Sequence, residues 1–147
     1  MRKEVGTTRA VFMGTPGFAL PSLEVTLAET DVALVVTQPD RPAGRGRKLR
    51  PPAVKVAAEA AGVEVVQPER SVTRDLGARL AEIAPDVIVV AAFGKFLGRK
   101  VLGLPRHGCV NVHASLLPRH RGASPPAWAI LSGDQETGVT VQRMVQE

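Results

Sequence analysis

Five short apolar runs limit the fold of this chain more than any other feature: Arg9–Met13, Val32–Val36, Val63–Val66, Asp86–Ala92 and Cys109–His113. Most are continuous in Val and Ile rather than alternating with polar residues, so they call for burial on both faces. That is the pattern of a parallel sheet layered between helices. Helical spacing fills the gaps. Pro21 suits a first helical turn and is followed by Leu23 and Leu27, one helical face shared with Leu20. Ala53–Ala61 is alanine-rich and stops at Gly62, and Thr73–Ile83 carries Leu76, Leu80 and Ile83 on one face. Shorter helices are predicted around Leu97–Leu102 and Pro125–Leu131, and TGVTVQRM reads as a last strand. Strand–helix alternation without an internal repeat predicts one α/β domain: a Rossmann-like parallel sheet with helices on both faces and right-handed crossovers.

Composition narrows the class. The 147 residues are enough for one domain with a real core, and 44% hydrophobic with 22% charged residues is ordinary for a globular chain. No run approaches the ~18 apolar residues of a membrane span. The first eight residues read as a frayed leader, without the apolar stretch of a signal peptide. Cys109 is the sole cysteine, which excludes an internal disulfide and fits a reducing, cytoplasmic setting.

Three segments carry chemical signals. The turn Gly14-Thr15-Pro16-Gly17 has neither the G-x-G-x-x-G pattern nor the Lys-Ser/Thr of a P-loop, and the second strand ends at Thr37-Gln38 rather than at an acid. A tight strand-to-helix turn is the reading for dinucleotides, although a different ligand could use the amides exposed there. The segment Gln38–Pro52 is punctuated by Pro and Gly, reads as irregular, and exceeds the ~12 residues at which loops are usually functional or disordered. It concentrates Arg41, Arg45, Arg47, Lys48 and Arg50 with no aromatic residue between them. Phosphate-pairing guanidinium groups without stacking partners suit the backbone of a structured RNA, against a plain solvated connection.

The third signal is VNVHASLLPRHRGASPP, residues 110–126. Side chains alternate along a strand, so Cys109, Asn111 and His113 share one face while Val110 and Val112 share the other. His107, Cys109 and His113 match no standard zinc spacing, and no metal is expected. Asn111 and His113 can instead be satisfied structural groups at a strand end or part of a site. In open α/β sheets ligands bind beyond the carboxyl ends of the strands. There an amide can hydrogen-bond a developing oxyanion and an imidazole can move protons, which suits acyl transfer. No G-x-S-x-G elbow is present, so direct transfer is favoured over a covalent serine mechanism.

FMGTPGFALPSLE, TQPDRPAGRGRKL, AAFGKFL and NVHASLLPRHRGASP, followed by GDQETGVTV, together resemble the methionyl-tRNA formyltransferases over nearly the whole chain. NVHASLLP is common to folate-dependent formyltransferases at large, whereas TQPDRPAGRGRKL is more particular to the tRNA enzymes. The resemblance implies transfer of the formyl group of 10-formyltetrahydrofolate to the α-amine of methionyl initiator tRNA by a monomeric enzyme. By position, Asn111 and His113 are the implied catalytic residues. Ser115, Leu116, Leu117 and Pro118 form the implied folate-contacting turn, with Phe93 and Gly94 bordering the donor pocket. Arg41, Arg45, Arg47 and Lys48 lie on the implied tRNA-binding loop. A sugar-amine or small-ribonucleotide formyltransferase, or a non-catalytic folate- or RNA-binding module, is the alternative. The chain departs from the family pattern at His120, where Trp or Tyr is common, at Phe93 for Tyr, and at Pro126 for an aliphatic residue. The family's catalytic Asp, in an L-D-x-G segment, and its β-barrel domain would lie past Glu147. The chain is therefore expected to be the N-terminal part of the catalytic domain, truncated on its C-terminal side, and inactive or weakly active alone.

Overall fold

The computed structural model describes residues 7–146. Most of the expected leader, and Glu147, lie outside the described residues. The strands are β1 (Arg9–Gly14), β2 (Asp31–Val36), β3 (Arg41–Ala43), β4 (Lys48–Arg50), β5 (Val65–Val66), β6 (Val87–Ala91), β7 (Cys109–His113) and β8 (Thr140–Arg143). The helices are α1 (Leu20–Glu29), α2 (Ala53–Ala60), α3 (Arg74–Ile83), α4 (Arg99–Leu102) and α5 (Pro125–Leu131). Local chemistry sets their ends. Pro21 occupies the first turn of α1. Thr73 caps α3, its Oγ1 accepting from the Leu76 amide at 3.2 Å.

The main sheet runs β5-β2-β1-β6-β7-β8. All neighbours pair in parallel except β7 and β8. Strand order therefore departs in opposite directions from β1, and a crevice opens at the carboxyl ends of β1 and β6, the usual ligand position in such sheets. Alternation divides the core in two. Val11, Met13, Leu34, Val36, Ile88, Val90 and Cys109 pack with Leu76 and Leu80 of α3 and Val101 of α4. Phe12, Val35 and Ala91 pack on the other face with Leu23 of α1 and with Val54 and Ala58 of α2. Among the described residues no helix is long and apolar enough to cross a membrane.

Two findings depart from the sequence reading. The last strand is antiparallel, with His113 opposite Thr140. The connection from β7 thus leaves and re-enters the sheet at one edge, and α5 stays at that edge instead of crossing a face. The basic segment is also not irregular. β3 and β4 form an antiparallel hairpin, with Arg41 opposite Arg50 and Ala43 opposite Lys48. Its tip is Gly44-Arg45-Gly46-Arg47, and the two glycines at φ +69° and +83° supply the left-handed backbone that reverses the chain. A two-stranded ribbon has open edges, so it tolerates Pro42.

Cys109 is fully buried beneath α4, and burial pushes its thiol up to about 11 from 9.0. The fold thus favours the neutral thiol. Its contribution is whole below 9.0 and is lost as pH rises through about 11. The urea midpoint is expected to fall more steeply across that window in the native chain than in Cys109→Ala. Equal slopes would contradict a buried neutral thiol.

Candidate active site

The carboxyl ends of β1, β6 and β7 bring three segments together. Beyond β1, Thr15 Oγ1 donates to the Phe93 carbonyl at 3.2 Å. Beyond β2, Gln38 Nε2 donates to the same carbonyl at 2.9 Å. These two bonds tie the segment after β6 to the top of the sheet. Gly94 sits at φ +77°, a backbone conformation that favours glycine, and a Cβ there would come within 2.3 Å of Gln38 Nε2 and push that amide off the Phe93 carbonyl. Lys95 Nζ donates to the Glu69 carbonyl at 2.9 Å and anchors the next turn.

Two hollows open on this platform. A larger one of about 910 Å³ is lined by Phe93, Gly94, Asn111, His113, Ser124 and Pro125, among others. A smaller one of about 550 Å³ is lined by Leu97, Leu102, Asn111, Gln142 and Met144, among others. Lys95, Phe96, Asn111 and Met144 line both, so the hollows adjoin at Asn111. The Asn111 side chain makes no hydrogen bond to any described residue, although its backbone is fixed opposite Val90 and Gln142. An uncommitted amide where two hollows meet is free to serve a ligand.

Among the described residues, the His113 ring is bonded on one side only. Its Nε2 lies 2.9 Å from the His120 carbonyl. A carbonyl only accepts, so Nε2 carries a proton and Nδ1 is the nitrogen open to further chemistry. Ser115 is fully buried and its Oγ donates to the Arg119 carbonyl at 2.7 Å. The side chains of Arg119 and His120 meet one carboxylate. Arg119 Nη2 lies 3.2 Å from Asp134 Oδ1, and His120 Nε2 donates to Asp134 Oδ2 at 2.6 Å.

The structure thus gathers Asn111, His113, Phe93 and Gly94 around one hollow. Ser115, Leu116, Leu117 and Pro118 do not line it. The Ser115 hydroxyl is spent internally, and the Leu117 amide donates to Thr140 Oγ1 at 3.1 Å. Gly122, Ala123, Ser124, Pro125 and Pro126 take that wall instead. They belong to the polar-apolar motif the sequence exposed, but only the path of the chain after β7 shows which half faces inward. Thr15 and Gln38 lie in segments the sequence singled out, but their bonds to Phe93 were not legible, because that partner lies 78 and 55 residues away.

Arg41, Arg45, Arg47 and Lys48 lie apart from the hollows on the exposed hairpin. Arg41 Nη2 donates to Gln38 Oε1 at 3.3 Å, linking the hairpin base to the residue that holds Phe93. No ion pair to a described residue engages Arg45, Arg47, Lys48 or Arg50. At the hairpin base the Gln67 amide, helped by Lys55, holds the Asp40 carboxyl below the usual carboxylate range. Among the described residues no group of three or more His, Cys, Asp or Glu could hold a metal ion.

This topology, with hollows at the carboxyl edge, is one that solved folate-linked formyl-transfer proteins share. The chain aligns with phosphoribosylglycinamide formyltransferase from Streptococcus pneumoniae at TM-score 0.73 and 23% identity, over 96% of this chain and 75% of that one. It aligns with a formyltetrahydrofolate deformylase from Pseudomonas syringae at TM-score 0.73 and 19% identity, over 97% and 48%. Such identities establish the fold alone. The sequence goes further: the family described as Formyl transferase matches residues 14–147, and the chain belongs to it. Similar curated proteins are the methionyl-tRNA formyltransferases of Geobacter metallireducens, 53% identical over 91% of this chain and 43% of that protein, and of Halorhodospira halophila, 58% identical over 92% and 44%. That of Desulfotalea psychrophila is 51% identical over 98% and 45%. The chain spans less than half the length of these relatives.

Proposed function

We propose that this chain forms the N-terminal part of the catalytic domain of a methionyl-tRNA formyltransferase. The reaction moves a formyl group from 10-formyltetrahydrofolate to the α-amine of methionyl initiator tRNA. The observation that carries this reading is the unpaired amide of Asn111 at the junction of two hollows, with His113 beside it. A transferase must bring two substrates to one reacting carbon, and adjoining hollows provide that proximity. The amine attacks the formyl carbon while the formyl oxygen gains charge, which the Asn111 amide stabilises by donating a hydrogen bond. The bond from the formyl carbon to N10 then breaks. The proton lost by the amine replaces the formyl group on N10, with the His113 imidazole as carrier. Support for tRNA as acceptor comes from the relatives' names and from the hairpin, whose unpaired cations suit phosphates and are not needed for a small amine. The buried lone thiol fits a cytoplasmic setting, and a monomeric intact enzyme belongs to the same proposal.

The hairpin supplies the test. Arg45→Ala with Arg47→Ala is expected to weaken binding of initiator tRNA by about tenfold or more, equivalent to about 1.4 kcal/mol. The salt dependence of log K should become shallower by about 0.7–0.9 per lost phosphate contact. Unchanged affinity and slope would remove the hairpin from tRNA recognition. Loss of transfer to a small amine as well would point away from a tRNA-specific role.

A further inference from the structure

The network behind His113 has a use that the reaction does not itself require. Asp134 lies just past α5, with its side chain only 6% exposed, and it is not among the residues lining either hollow. It receives both Arg119 and His120, and the backbone carbonyls of those two residues hold Ser115 and His113. His120 is itself in the left-handed region, φ +54°, which a residue with a Cβ keeps only where its surroundings impose it. The ring of this residue, only 14% exposed, makes the 2.6 Å bond to Asp134.

We propose that Asp134, acting through His120 and Arg119, is a positioning residue for His113. It holds the His120 carbonyl where it captures the Nε2 proton, and so leaves Nδ1 as the ring nitrogen available for proton transfer. Asp134 contacts no reacting atom, and its action passes through one side chain and one carbonyl. The inference rests on the proposed role of His113, but its readout is the state of one ring and needs no turnover.

The test is nitrogen-15 NMR of the imidazoles in this chain at a pH well above the ordinary histidine value of about 6.5. The three histidines are assigned by removing them singly. The native chain is expected to show His113 as one tautomer, protonated on Nε2, with a slowly exchanging ring proton. His120→Gln keeps a donor to Asp134 and should preserve that signature. His120→Leu keeps bulk without a donor and should yield mixed tautomers and fast exchange of the ring proton. A native His113 protonated on Nδ1 overturns the proposal, as does a His120→Leu spectrum matching the native one. Equal loss in both variants also overturns it, because packing alone would then hold the loop. Should His120→Leu fail to fold, Asp134→Asn decides by the same signature: weakened supports, unchanged refutes. Failure of formyl transfer with the tautomer behaving as expected would fault the proposed reaction and leave this inference standing.

Discussion

Asn111→Ala, made in a protein that carries this chain at the length of its relatives, is expected to lower kcat by about 10²–10³-fold, the usual loss for one oxyanion donor. KM for either substrate should change little, because the bond strengthens only as charge develops on the formyl oxygen. The fold should survive. The strand is held by backbone pairing to Val90 and Gln142, which alanine retains. His113→Ala is expected to cost about 10²–10⁴-fold, the range for a positioned proton-transfer group. The two effects should not add, since both groups serve one transition state. The measurement is formyl transfer from 10-formyltetrahydrofolate to methionyl-tRNA under saturating substrates. Near-native kcat in Asn111→Ala would show that the junction of the hollows is not where the formyl carbon reacts.

Phe12→Ala is expected to remove about 3–5 kcal/mol of stability. Domains hold only about 5–15 kcal/mol in total, so this substitution alone can bring the chain to the edge of unfolding. Phe12 is fully buried on the central strand, between β2 and β6. Its ring fills the space between the sheet and the α1–α2 layer, against residues as small as Ala19, Ala58 and Ala91. Small neighbours fixed on a sheet and two helices cannot close over the hole. The urea midpoint should fall with an unchanged m-value, the sign of lost stability without altered compactness. A loss below about 1.5 kcal/mol would mean that the helices move inward to fill the void, which is the other limit of core truncation. Phe96→Ala, at a ring 71% exposed, should stay within about 0.5 kcal/mol of the native chain and provides the control.

Much of the sheet is legible in the sequence alone. A continuous apolar run has one inexpensive environment, so β1, β2, β6 and β7 appear where Val and Ile cluster. Cys109–His113 and Pro125–Leu131 coincide with their predicted bounds. The basic hairpin was not legible. A strand of three residues offers too short a pattern to read, and its prolines argue against a ladder unless its edges are known to be open. Nor was the direction of β8 legible, since TGVTVQRM is compatible with either sense of pairing. That choice depends on α5 remaining at one edge of the sheet.

Sequence by itself determined which stretches become the helices and the strands of the main sheet, and that Asn111 and His113 share a face at the end of one strand. Those properties follow from the two-residue period of a strand and the cost of exposing apolar runs. Only the tertiary structure decided what the two residues meet. It set Asn111 between two hollows and joined His113 to the carbonyl of His120, whose ring meets Asp134. It also turned the Ser115 hydroxyl inward, away from the larger hollow. Each of those outcomes depends on where a separate stretch of backbone comes to rest. A hydrogen bond needs its partner within about 3 Å in a narrow range of angles, and no local pattern of residues encodes that placement.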